Sequence, residues 1–251
     1  MEARKIIITG GATRIGAAIA ETLAGPNKEI VIHYNKSKSK AENLRKKLQN
    51  CGAKIFLVKG DLSKVKEISR IIKFAKSKLK YFDCLVNNAS IFENDKLENF
   101  KIDSWEKHIS TNLKAPAILS KEFSKNVRGK NNNIINIIDQ RVFKLTPFFF
   151  SYTISKTGLY TLTKTSAMSL APNIRVNGIA PGPTIKNQRQ SEKHFKNQYL
   201  ATPLKKQVDV REICNAVDFF IKSSSITGQV LAVDSGQSLN WQTPDIMKSK
   251  E

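Results

Sequence analysis

The chain has 251 residues, of which 40% are hydrophobic and 25% charged, and its 42 Lys and Arg against 21 Asp and Glu give a net charge of +21. The apolar fraction suffices for a sizeable core, which excludes disordered and collagen-like chains. At about 150 residues per domain, this length is compatible with one large domain or with two small ones. Apolar runs such as 6–8 and 148–150 are far shorter than the roughly 18 residues of a membrane span, so a soluble protein without a membrane partner is expected.

The first residues of the chain and its cysteines indicate the cellular compartment. Met1 to Lys5 leads directly into Ile6 to Gly10, which is too short for the apolar region of a signal peptide. Cys51, Cys84 and Cys214 are odd in number and widely spaced. They indicate neither a disulfide framework nor a zinc site, so no metal is expected. These features predict a cytoplasmic protein.

The charge of +21 suggests a nucleic-acid hypothesis, because Lys and Arg neutralise phosphates. The lysines are spread over nearly every amphipathic segment, and no basic stretch is interleaved with the aromatic residues that single-strand binders use. A solvated Lys-rich surface is therefore favoured, and no specific nucleic acid is expected as a partner. A basic nucleic-acid-associated protein is the non-enzyme alternative.

Short β-branched segments alternate with longer helical patterns along the chain. Seven strands are predicted, at 5–9, 29–34, 54–59, 84–87, 133–138, 174–179 and 230–233. Six helices are predicted, at 15–23, 39–50, 64–79, 104–127, 151–170 and 208–222. Continuous apolar strands are buried on both faces, and βα alternation implies parallel pairing. The sequence therefore predicts one doubly wound, Rossmann-like α/β domain over 1–251, with a parallel seven-stranded sheet and helices on both faces.

Residues 180–203 form the one long irregular segment in this pattern. A loop that long inside a compact domain is more often a lid or a binding loop than a connection without a role. We therefore predict a substrate loop at about 180–203. No motif within it indicates which substrate it contacts.

A glycine-rich turn, Thr9 to Gly16, follows the first predicted strand and opens a helix. Glycines there let the backbone approach a pyrophosphate, and the helix start supplies free N–H groups and a positive dipole end. The spacing is not G-x-G-x-x-G, so a tight βα connection without a ligand is an alternative. The strand before the turn and the helix after it favour a dinucleotide cofactor.

The end of the second predicted strand bears on the choice between NAD and NADP. A dinucleotide fold usually has an acidic residue about 20 positions after the glycines, where it binds the ribose hydroxyls. Here segment 33–38 is His-Tyr-Asn-Lys-Ser-Lys, and the next acid is Glu42. Arg14, Lys36 and Ser37 are available to surround a 2′-phosphate instead. The cofactor predicted is NADP(H).

A tyrosine and a lysine four residues apart share one helix face, where an ammonium group is expected to lower the pKa of the phenol and make it a usable acid. Only Tyr152 with Lys156 starts a helix after a strand that ends in an ionisable residue, Asp139. Ligands bind beyond the carboxyl ends of parallel strands, which is where these residues are expected. The spacing occurs at three places: Tyr34 and Lys38, Tyr152 and Lys156, and Tyr160 and Lys164.

Several short motifs follow one another in a fixed order. They are the 9–16 turn, Asp61-Leu62, Asn87-Asn88-Ala89, Asn112, Tyr152 with Lys156, and the segment 181–184, which reads Pro-Gly-Pro-Thr. In this combination the sequence resembles a short-chain dehydrogenase/reductase from Thr9 to Leu239. The resemblance implies that Asp61 holds the adenine amino group, that Asn88 and Ala89 line the ribose path, and that Lys156 binds the nicotinamide ribose.

The resemblance also implies a catalytic role for Asn112, supporting a proton-relay water, and for Tyr152 as the proton donor. A polar interior residue without such a role is the alternative for Asn112. The cofactor-binding residues implied are Gly10, Arg14, Ile15, Gly16, His33, Tyr34, Asn35, Lys36, Ser37, Asp61, Leu62, Asn88, Ala89, Ser90, Lys156, Pro181 and Gly182.

Two departures from the common family pattern are informative, Arg14 in place of Gly and Asp139 in place of Ser. Both resemble the pteridine reductase branch, which includes dihydromonapterin and dihydrofolate reductase-like members. That branch implies that Phe92 stacks on a pterin ring opposite the nicotinamide. It also implies that Arg14 contacts cofactor phosphate and pterin, and that Asp139 and Tyr152 together protonate the ring. The implied substrate residues are Arg14, Phe92, Asp139, Tyr152 and Pro183.

The alternatives for two of these residues are structural. Phe92 can be an ordinary core residue, and Asp139 a buried carboxylate paired with Arg141 or a lysine. The predicted function is NADPH-dependent hydride transfer to the C=N bond of a pterin, dihydropterin or folate-type substrate. The alternative is a carbonyl reductase such as a 3-oxoacyl-[acyl-carrier-protein] reductase, against which the missing Ser at 139 counts. Family resemblance further implies a homodimer or homotetramer that packs through helices 104–127 and 151–170.

Overall fold

The computed structural model describes residues 4–187 and 189–241 of the chain. Its strands are β1 (Lys5–Ile8), β2 (Glu29–Tyr34), β3 (Lys54–Lys59), β4 (Cys84–Asn87), β5 (Asn132–Ile137), β6 (Ile174–Pro181) and β7 (Val230–Val233). They form a seven-stranded sheet in the order β3-β2-β1-β4-β5-β6-β7, and every neighbouring pair is parallel. The predicted fold class is confirmed. Positions 1–3, 188 and 242–251 of the predicted domain lie outside the described residues.

Eight α-helices in the described residues surround this sheet. They are α1 (Arg14–Leu23), α2 (Lys38–Asn50), α3 (Val65–Leu79), α4 (Ile102–Ile109), α5 (Ala115–Ser124), α6 (Phe150–Leu170), α7 (Glu192–Leu200) and α8 (Val210–Lys222). Apolar side chains of α1, α2 and α8 pack in one core cluster, and those of α3, α5 and α6 in a second. None of the described helices combines the length and the apolar character that a membrane crossing requires.

The strands separate the two core clusters residue by residue. Ile6 and Ile8 of β1 belong to the cluster with α1, α2 and α8, whereas Ile7 belongs to the other cluster. Val31 of β2 likewise faces away from the side of its neighbours Ile30 and Ile32. This alternation follows from the period of two in a strand, and it explains why continuous apolar strands are buried on both faces.

The prediction of one continuous helix at 104–127 is wrong. Helix α4 begins at Ile102 and ends at Ile109, residues 110–114 form a π-helical turn, and α5 then runs to Ser124. The physical reason is Pro116, which has no N–H and cannot donate to the carbonyl of Asn112, four residues earlier. The helix widens at that point, as π-turns do, frequently near functional sites.

The predicted irregular segment 180–203 also differs in the structure. Strand β6 extends to Pro181, and α7 occupies Glu192–Leu200 within the segment. Ser191 caps α7 by accepting a hydrogen bond from His194 N at 3.1 Å. Phe195 is buried and packs edge to face against Tyr199, four residues later on the same helix face. Helix propensity with a cap and one apolar contact therefore orders the second half of this segment.

Candidate active site

A cleft of about 1620 Å³ opens beyond the carboxyl ends of the strands. Strand β1 pairs with β2 on one side and with β4 on the other, so the chain direction across the sheet reverses at β1, and ligands bind at such points. All of the predicted cofactor-binding and substrate-binding residues line this cleft. Asn112 does not line it and is fully buried, whereas its neighbour Thr111 does.

The glycine-rich turn packs closely against the end of β4. A Cβ atom on Gly10 would lie 2.9 Å from Ala89 Cα, and Gly10 has a φ of +60°, which favours glycine. A Cβ atom on Gly16 would lie 2.4 Å from both Gly10 O and Asn88 Nδ2. Thr13, at the start of α1, makes no side-chain capping bond. The first N–H groups of α1 therefore point into the cleft without a side-chain partner from the cap residue.

His33 joins this turn to the neighbouring strands. Its Nδ1 accepts a hydrogen bond from Gly10 N at 3.2 Å, and its Nε2 lies 3.1 Å from Gly60 O, to which it donates. Burial lowers the pKa of His33 to about 4, so the ring is neutral at physiological pH. His33 lines the cleft but has both ring nitrogens engaged, so it positions the turn.

Asn88 and Ala89 are tied to the end of β1. The Thr9 hydroxyl accepts from Asn88 N at 3.0 Å and from Ala89 N at 3.1 Å. Asn88 Nδ2 donates to Thr9 O and Gly10 O, at 2.9 and 3.1 Å. The side-chain amide of Asn88 therefore holds β1 and β4 together at the floor of the cleft.

At the end of β2 the cleft has polar and basic residues in place of an acid. Asn35 and Lys36 are exposed and Ser37 is half-buried. Asp61 also lines the cleft. Its Oδ1 accepts hydrogen bonds from Ser63 N at 3.0 Å and from Ser63 Oγ at 2.8 Å. One carboxylate oxygen of Asp61, Oδ2, has no described bond and is available to a ligand.

Arg14 reaches the segment after β6. Its guanidinium donates to Lys186 O at 2.8 Å and to Ile185 O at 2.7 Å, and its φ of +55° is unusual for a residue with a Cβ atom. Arg14 thus ties the glycine-rich turn to the predicted substrate loop, a contact that the sequence alone did not indicate.

The three predicted catalytic side chains at the end of β5 lie together. Tyr152 Oη donates to Asp139 Oδ2 at 2.7 Å, and Asp139 Oδ1 accepts from Arg141 N at 2.9 Å. Lys156 Nζ donates to Ile137 O at 2.8 Å. Asp139 therefore contacts the backbone of Arg141, while the Arg141 guanidinium lies 4.6 Å from the centre of the Phe149 ring.

The electrostatics of this group differ from the sequence-based expectation. Burial first, and then Asp139 by its charge and its hydrogen bond, raise the pKa of Tyr152 well above its ordinary value. Burial lowers the pKa of Lys156 to about 8. The expectation that Lys156 lowers the pKa of this phenol is therefore wrong here, because burial and the hydrogen-bonded Asp139 carboxylate both raise it.

Asn112 uses its side chain inside the protein. Its Oδ1 accepts from Ile91 N at 2.9 Å, and its Nδ2 donates to Ile91 O and Ser155 Oγ, both at 3.0 Å. The amide thus pairs with the backbone of the segment after β4 and with α6. A role for Asn112 in supporting a water stays a prediction.

Three aromatic or basic residues lie next to the catalytic group although the sequence did not indicate them as site residues. Phe149 stacks on Phe92 with ring centres 4.3 Å apart and planes 4° apart, and Phe92 meets the Tyr152 ring edge to face at 4.6 Å. Arg141 lies over Phe149, and Arg189 donates to Phe92 O. The run of three phenylalanines at 148–150, just before Tyr152, was the available signal for Phe149.

Comparison with known proteins identifies the family. Residues 4–197 match the short chain dehydrogenase family. The chain belongs to that family. It is therefore an oxidoreductase, and the resemblance noted from the Thr9 turn, Tyr152 and Lys156 is confirmed at the family level.

Curated relatives cover nearly the whole chain. The 3-oxoacyl-[acyl-carrier-protein] reductase FabG of Staphylococcus epidermidis is 31% identical over 239 residues, which cover 93% of this chain and 98% of the relative. The dihydromonapterin reductase of Enterobacter sp. strain 638 is 27% identical over 241 residues, covering 94% and 98%.

Solved structures favour one branch of the family. The FolM alternative dihydrofolate reductase 1 of Brucella canis, complexed with NADP, is 41% identical with a TM-score of 0.92, and the match covers 96% of each chain. The corresponding Brucella suis protein, also in complex with NADP, is 40% identical with a TM-score of 0.92 and covers 96% of this chain and 98% of its own. These similarities support the predicted pteridine reductase-like branch.

Proposed function

We propose that this chain is an NADPH-dependent reductase that transfers a hydride to the C=N bond of a pterin, dihydropterin or folate-type substrate. The observation that carries the proposal is the 2.7 Å hydrogen bond between Tyr152 and Asp139, in a cleft that Phe92 and Arg14 also line. A carbonyl reductase needs only a neutral hydroxyl beside the phenol, whereas protonation of a ring nitrogen is aided by an acid. The similarity to NADP-bound FolM proteins supports the same assignment.

The residues of the cleft fit a dinucleotide with a 2′-phosphate. The uncapped start of α1 suits an anion, and Gly10 and Gly16 allow the backbone to approach it closely. Lys36 and Ser37 stand where an acid would bind a free 2′-hydroxyl. When bound, NADPH supplies the hydride. Lys156 has one described bond, to Ile137 O, which leaves donors of its ammonium group for the ribose.

Proton delivery is assigned to the Tyr152 and Asp139 pair. Burial and the adjacent Asp139 carboxyl raise the pKa of Tyr152 well above its ordinary value, so the phenol holds its proton at physiological pH. It is therefore available as the proton donor to a ring nitrogen of the substrate, and the Asp139 carboxyl lies within hydrogen-bond distance of the same oxygen.

The substrate ring is assigned to the aromatic wall made by Phe92. Flat heteroaromatic rings stack on aromatic side chains in an offset arrangement. Phe149 stacks on one face of Phe92, which is half-buried and lies edge to face with Tyr152, so the substrate ring is assigned to the part of Phe92 that Phe149 leaves uncovered. A ring stacked there lies close to the phenol that protonates it. Arg14 and Pro183 line the same cleft and stay assigned to the substrate.

Reduction of a 3-oxoacyl thioester is the second candidate. The observation that favours it is the 31% identity to the 3-oxoacyl-[acyl-carrier-protein] reductase FabG of Staphylococcus epidermidis, over 93% of this chain. Asp139 in place of Ser disfavours it. The sequence-based alternative of a nucleic-acid-associated protein has no such specific support.

One panel of substrates tests the proposal. NADPH oxidation is measured with dihydropterins, dihydrofolate and acetoacetyl thioesters, and then with NADH in place of NADPH. We expect turnover of the first two classes and at least a tenfold preference for NADPH, which corresponds to about 1.4 kcal/mol. Turnover of the thioesters alone would replace the proposal by the second candidate, and a preference for NADH would contradict the 2′-phosphate assignment.

We also propose a cytoplasmic homodimer or homotetramer. The three cysteines, Cys51, Cys84 and Cys214, are free thiols, which fits a reducing compartment. On α6, Ile154 and Met168 are 43% and 75% exposed, so this helix has apolar surface for a second copy. Light scattering at micromolar concentration tests the assembly, and a monomer would contradict it.

A further inference from the structure

The segment that carries Phe92 is fixed at most of its positions. We call residues 90–95 the Phe92 loop. Asn112 binds both backbone groups of Ile91 and accepts from Ser90 Oγ at 3.2 Å. The next fixed point is Glu93, whose N–H donates to His108 Nε2 at 3.3 Å. His108 is fully buried, so this contact is inside the protein.

The far end of the Phe92 loop binds the start of α6. Helix α6 has Phe149 at its N-cap position, with a left-handed φ of 59° and no side-chain cap of its own. Phe149 N donates to Asn94 Oδ1 at 3.3 Å, and Phe150 N donates to Asp95 O at 3.2 Å. Two residues of the loop therefore satisfy N–H groups that the helix leaves without partners.

Asp95 completes this contact with its side chain. Its Oδ1 accepts from Ser151 N at 3.1 Å and its Oδ2 accepts from Ser151 Oγ at 2.5 Å. Asp95 is only 9% exposed, and the two partners are 56 positions away in sequence. The carboxylate thus caps a distant helix, and its negative charge lies at the positive end of that helix dipole.

These bonds enclose the catalytic phenol. Tyr152 directly follows Ser151, to which Asp95 is bound, and Ser155 one turn later is bound by Asn112 Nδ2 at 3.0 Å. The Phe92 loop is therefore attached to α6 on both sides of Tyr152. Loss of the Asp95 carboxylate would loosen the loop at the end nearest the phenol, where the bonds from Phe149 N to Asn94 Oδ1 and from Phe150 N to Asp95 O would remain.

We propose that Asp95 is a positioning residue, which fixes the ring of Phe92 relative to the phenol of Tyr152. The proposal rests on the proposed function, because it takes Phe92 as the surface for the substrate ring and Tyr152 as the proton source. A displacement of about 1 Å between reacting groups can reduce a rate about 100-fold. Asp95 touches neither the cleft nor a reacting atom, and it acts through Ser151 and α6.

The experiment compares Asp95→Ala with Asp209→Ala, a matched loss of a helix cap. Asp209 caps α8 by accepting from Arg211 N at 2.9 Å, within a capping box with Glu212, and it does not line the cleft. Both variants are expected to lower the melting temperature. Only Asp95→Ala is expected to raise KM for the substrate and lower kcat, with kcat/KM falling about 10- to 100-fold and NADPH affinity within twofold of the parent.

Asp95→Asn provides the rescue. Its amide oxygen can accept from Ser151 N, and its amide nitrogen can donate to Ser151 Oγ. We expect this variant to recover kcat and KM to within about threefold of the parent. A role limited to stability would reduce the amount of active enzyme, but it would not change KM.

Trp105 provides a readout that is independent of activity. Its ring stacks on Phe150 with centres 5.7 Å apart, at the start of α6. The chain has two tryptophans, so Trp241→Phe leaves Trp105 as the one fluorophore of this type. In that background, quenching of Trp105 by acrylamide should increase in Asp95→Ala and should be unchanged in Asp209→Ala.

Several outcomes would overturn the proposal. One is a KM and kcat for Asp95→Ala within twofold of those for Asp209→Ala. If Asp95→Ala does not fold, Ser151→Ala removes the Oγ contact alone, and parental kinetics for both Ser151→Ala and Asp95→Asn would then assign Asp95 to stability only. Failure of the proposed function is seen separately, in the parent enzyme. If the parent reduces thioesters and no pterin, the same variants are compared on the thioester and by Trp105 quenching.

Discussion

Two buried cations lie at opposite ends of the sheet, and they are held differently. Arg175 is 7% exposed near the start of β6, and its guanidinium donates to three backbone carbonyls at and after the end of α8. Lys156 is 2% exposed at the carboxyl end of β5, and its one described bond goes to a single carbonyl. Burial lowers the pKa of both groups. The difference lies in how many donors the protein itself occupies.

The occupied donors of Arg175 indicate a structural role. Its NH1 donates to Phe220 O at 2.7 Å and Ile226 O at 3.3 Å, and its NH2 donates to Ile221 O at 3.0 Å. These carbonyls include groups that the end of a helix leaves without partners, and a cation there also interacts favourably with the helix dipole. Lys156 keeps donors for a ligand, and its pKa of about 8 marks an incompletely compensated charge.

The same substitution at both cations should give opposite results. Lys156→Met removes the donor to the cofactor ribose and a positive charge near the reacting phenol, so kcat/KM should fall about 1000-fold. It should not lower the free energy of unfolding, because it replaces a poorly solvated cation by an apolar side chain. Steady-state kinetics and chemical denaturation measure the two effects. A stable variant with parental activity would show that Lys156 has no catalytic role.

Asp139→Ala should have the next largest effect at the carboxyl end of the sheet. The carboxyl is expected to hold or deliver the proton with Tyr152, so kcat on dihydropterin should fall about 100-fold. NADPH affinity should be nearly unchanged, and Asp139→Ser should lose pterin reduction while gaining activity on a simple ketone. Activity of Asp139→Ala within about threefold of the parent would assign the carboxylate to structure, and the pterin proposal would lose its main mechanistic support.

Arg175→Met tests the structural member of the pair. It leaves three carbonyls at the end of α8 without their donor, so we expect the free energy of unfolding to fall by about 2 kcal/mol. The kcat of the folded enzyme should equal that of the parent, because Arg175 lies at the amino ends of the strands, away from the cleft. Denaturation and kinetics at a temperature where the variant is folded provide the test, and a loss of kcat without a loss of stability would reverse the assignment.

The sequence was most informative where local patterns determine structure. The β-branched segments predicted the parallel sheet. The glycine-rich turn at Thr9 to Gly16 predicted the end of the cleft where the cofactor binds. Tyr152, Lys156 and Asp139 could be brought together in advance because the carboxyl ends of parallel strands share one edge of the sheet. These predictions need only chain order, strand direction and residue type.

The features of the site that the sequence did not predict depend on contacts between residues distant in sequence. The unpredicted helix break depends on a single proline. Asp95 has no motif of its own, because its role arises from packing against a helix start 56 positions later. Phe149 is recognisable as a site residue only when Phe92 lies beside it. The break in the helix at 104–127 could have been predicted from Pro116, whereas the raised pKa of Tyr152 required its burial and its distance from Asp139.

The smallest predicted effect is the pH dependence of stability that Lys156 produces. Burial lowers the pKa of Lys156 from its usual 10.5 to about 8, so above pH 8 the unfolded chain binds more protons at this group than the folded chain does. The free energy of unfolding contributed by Lys156 therefore rises with pH, by about 1 kcal/mol between pH 7 and pH 9. Burial raises the pKa of the Cys84 thiol to about 12, so near pH 9 only the unfolded chain loses this proton, and the contribution of Cys84 to the free energy of unfolding falls with pH. Comparison with a variant that keeps Cys84 cancels this contribution.

Denaturation of the parent, Lys156→Met and Arg175→Met at pH 7, 8 and 9 isolates this contribution. Stability relative to Lys156→Met should rise with pH in the parent. It should rise equally in Arg175→Met, once the constant loss from that substitution is subtracted, because Lys156 is still buried there. A difference between parent and Lys156→Met that is flat or falls with pH would mean that Lys156 keeps an ordinary pKa. The contrast between the two cations would then rest on hydrogen-bond count alone.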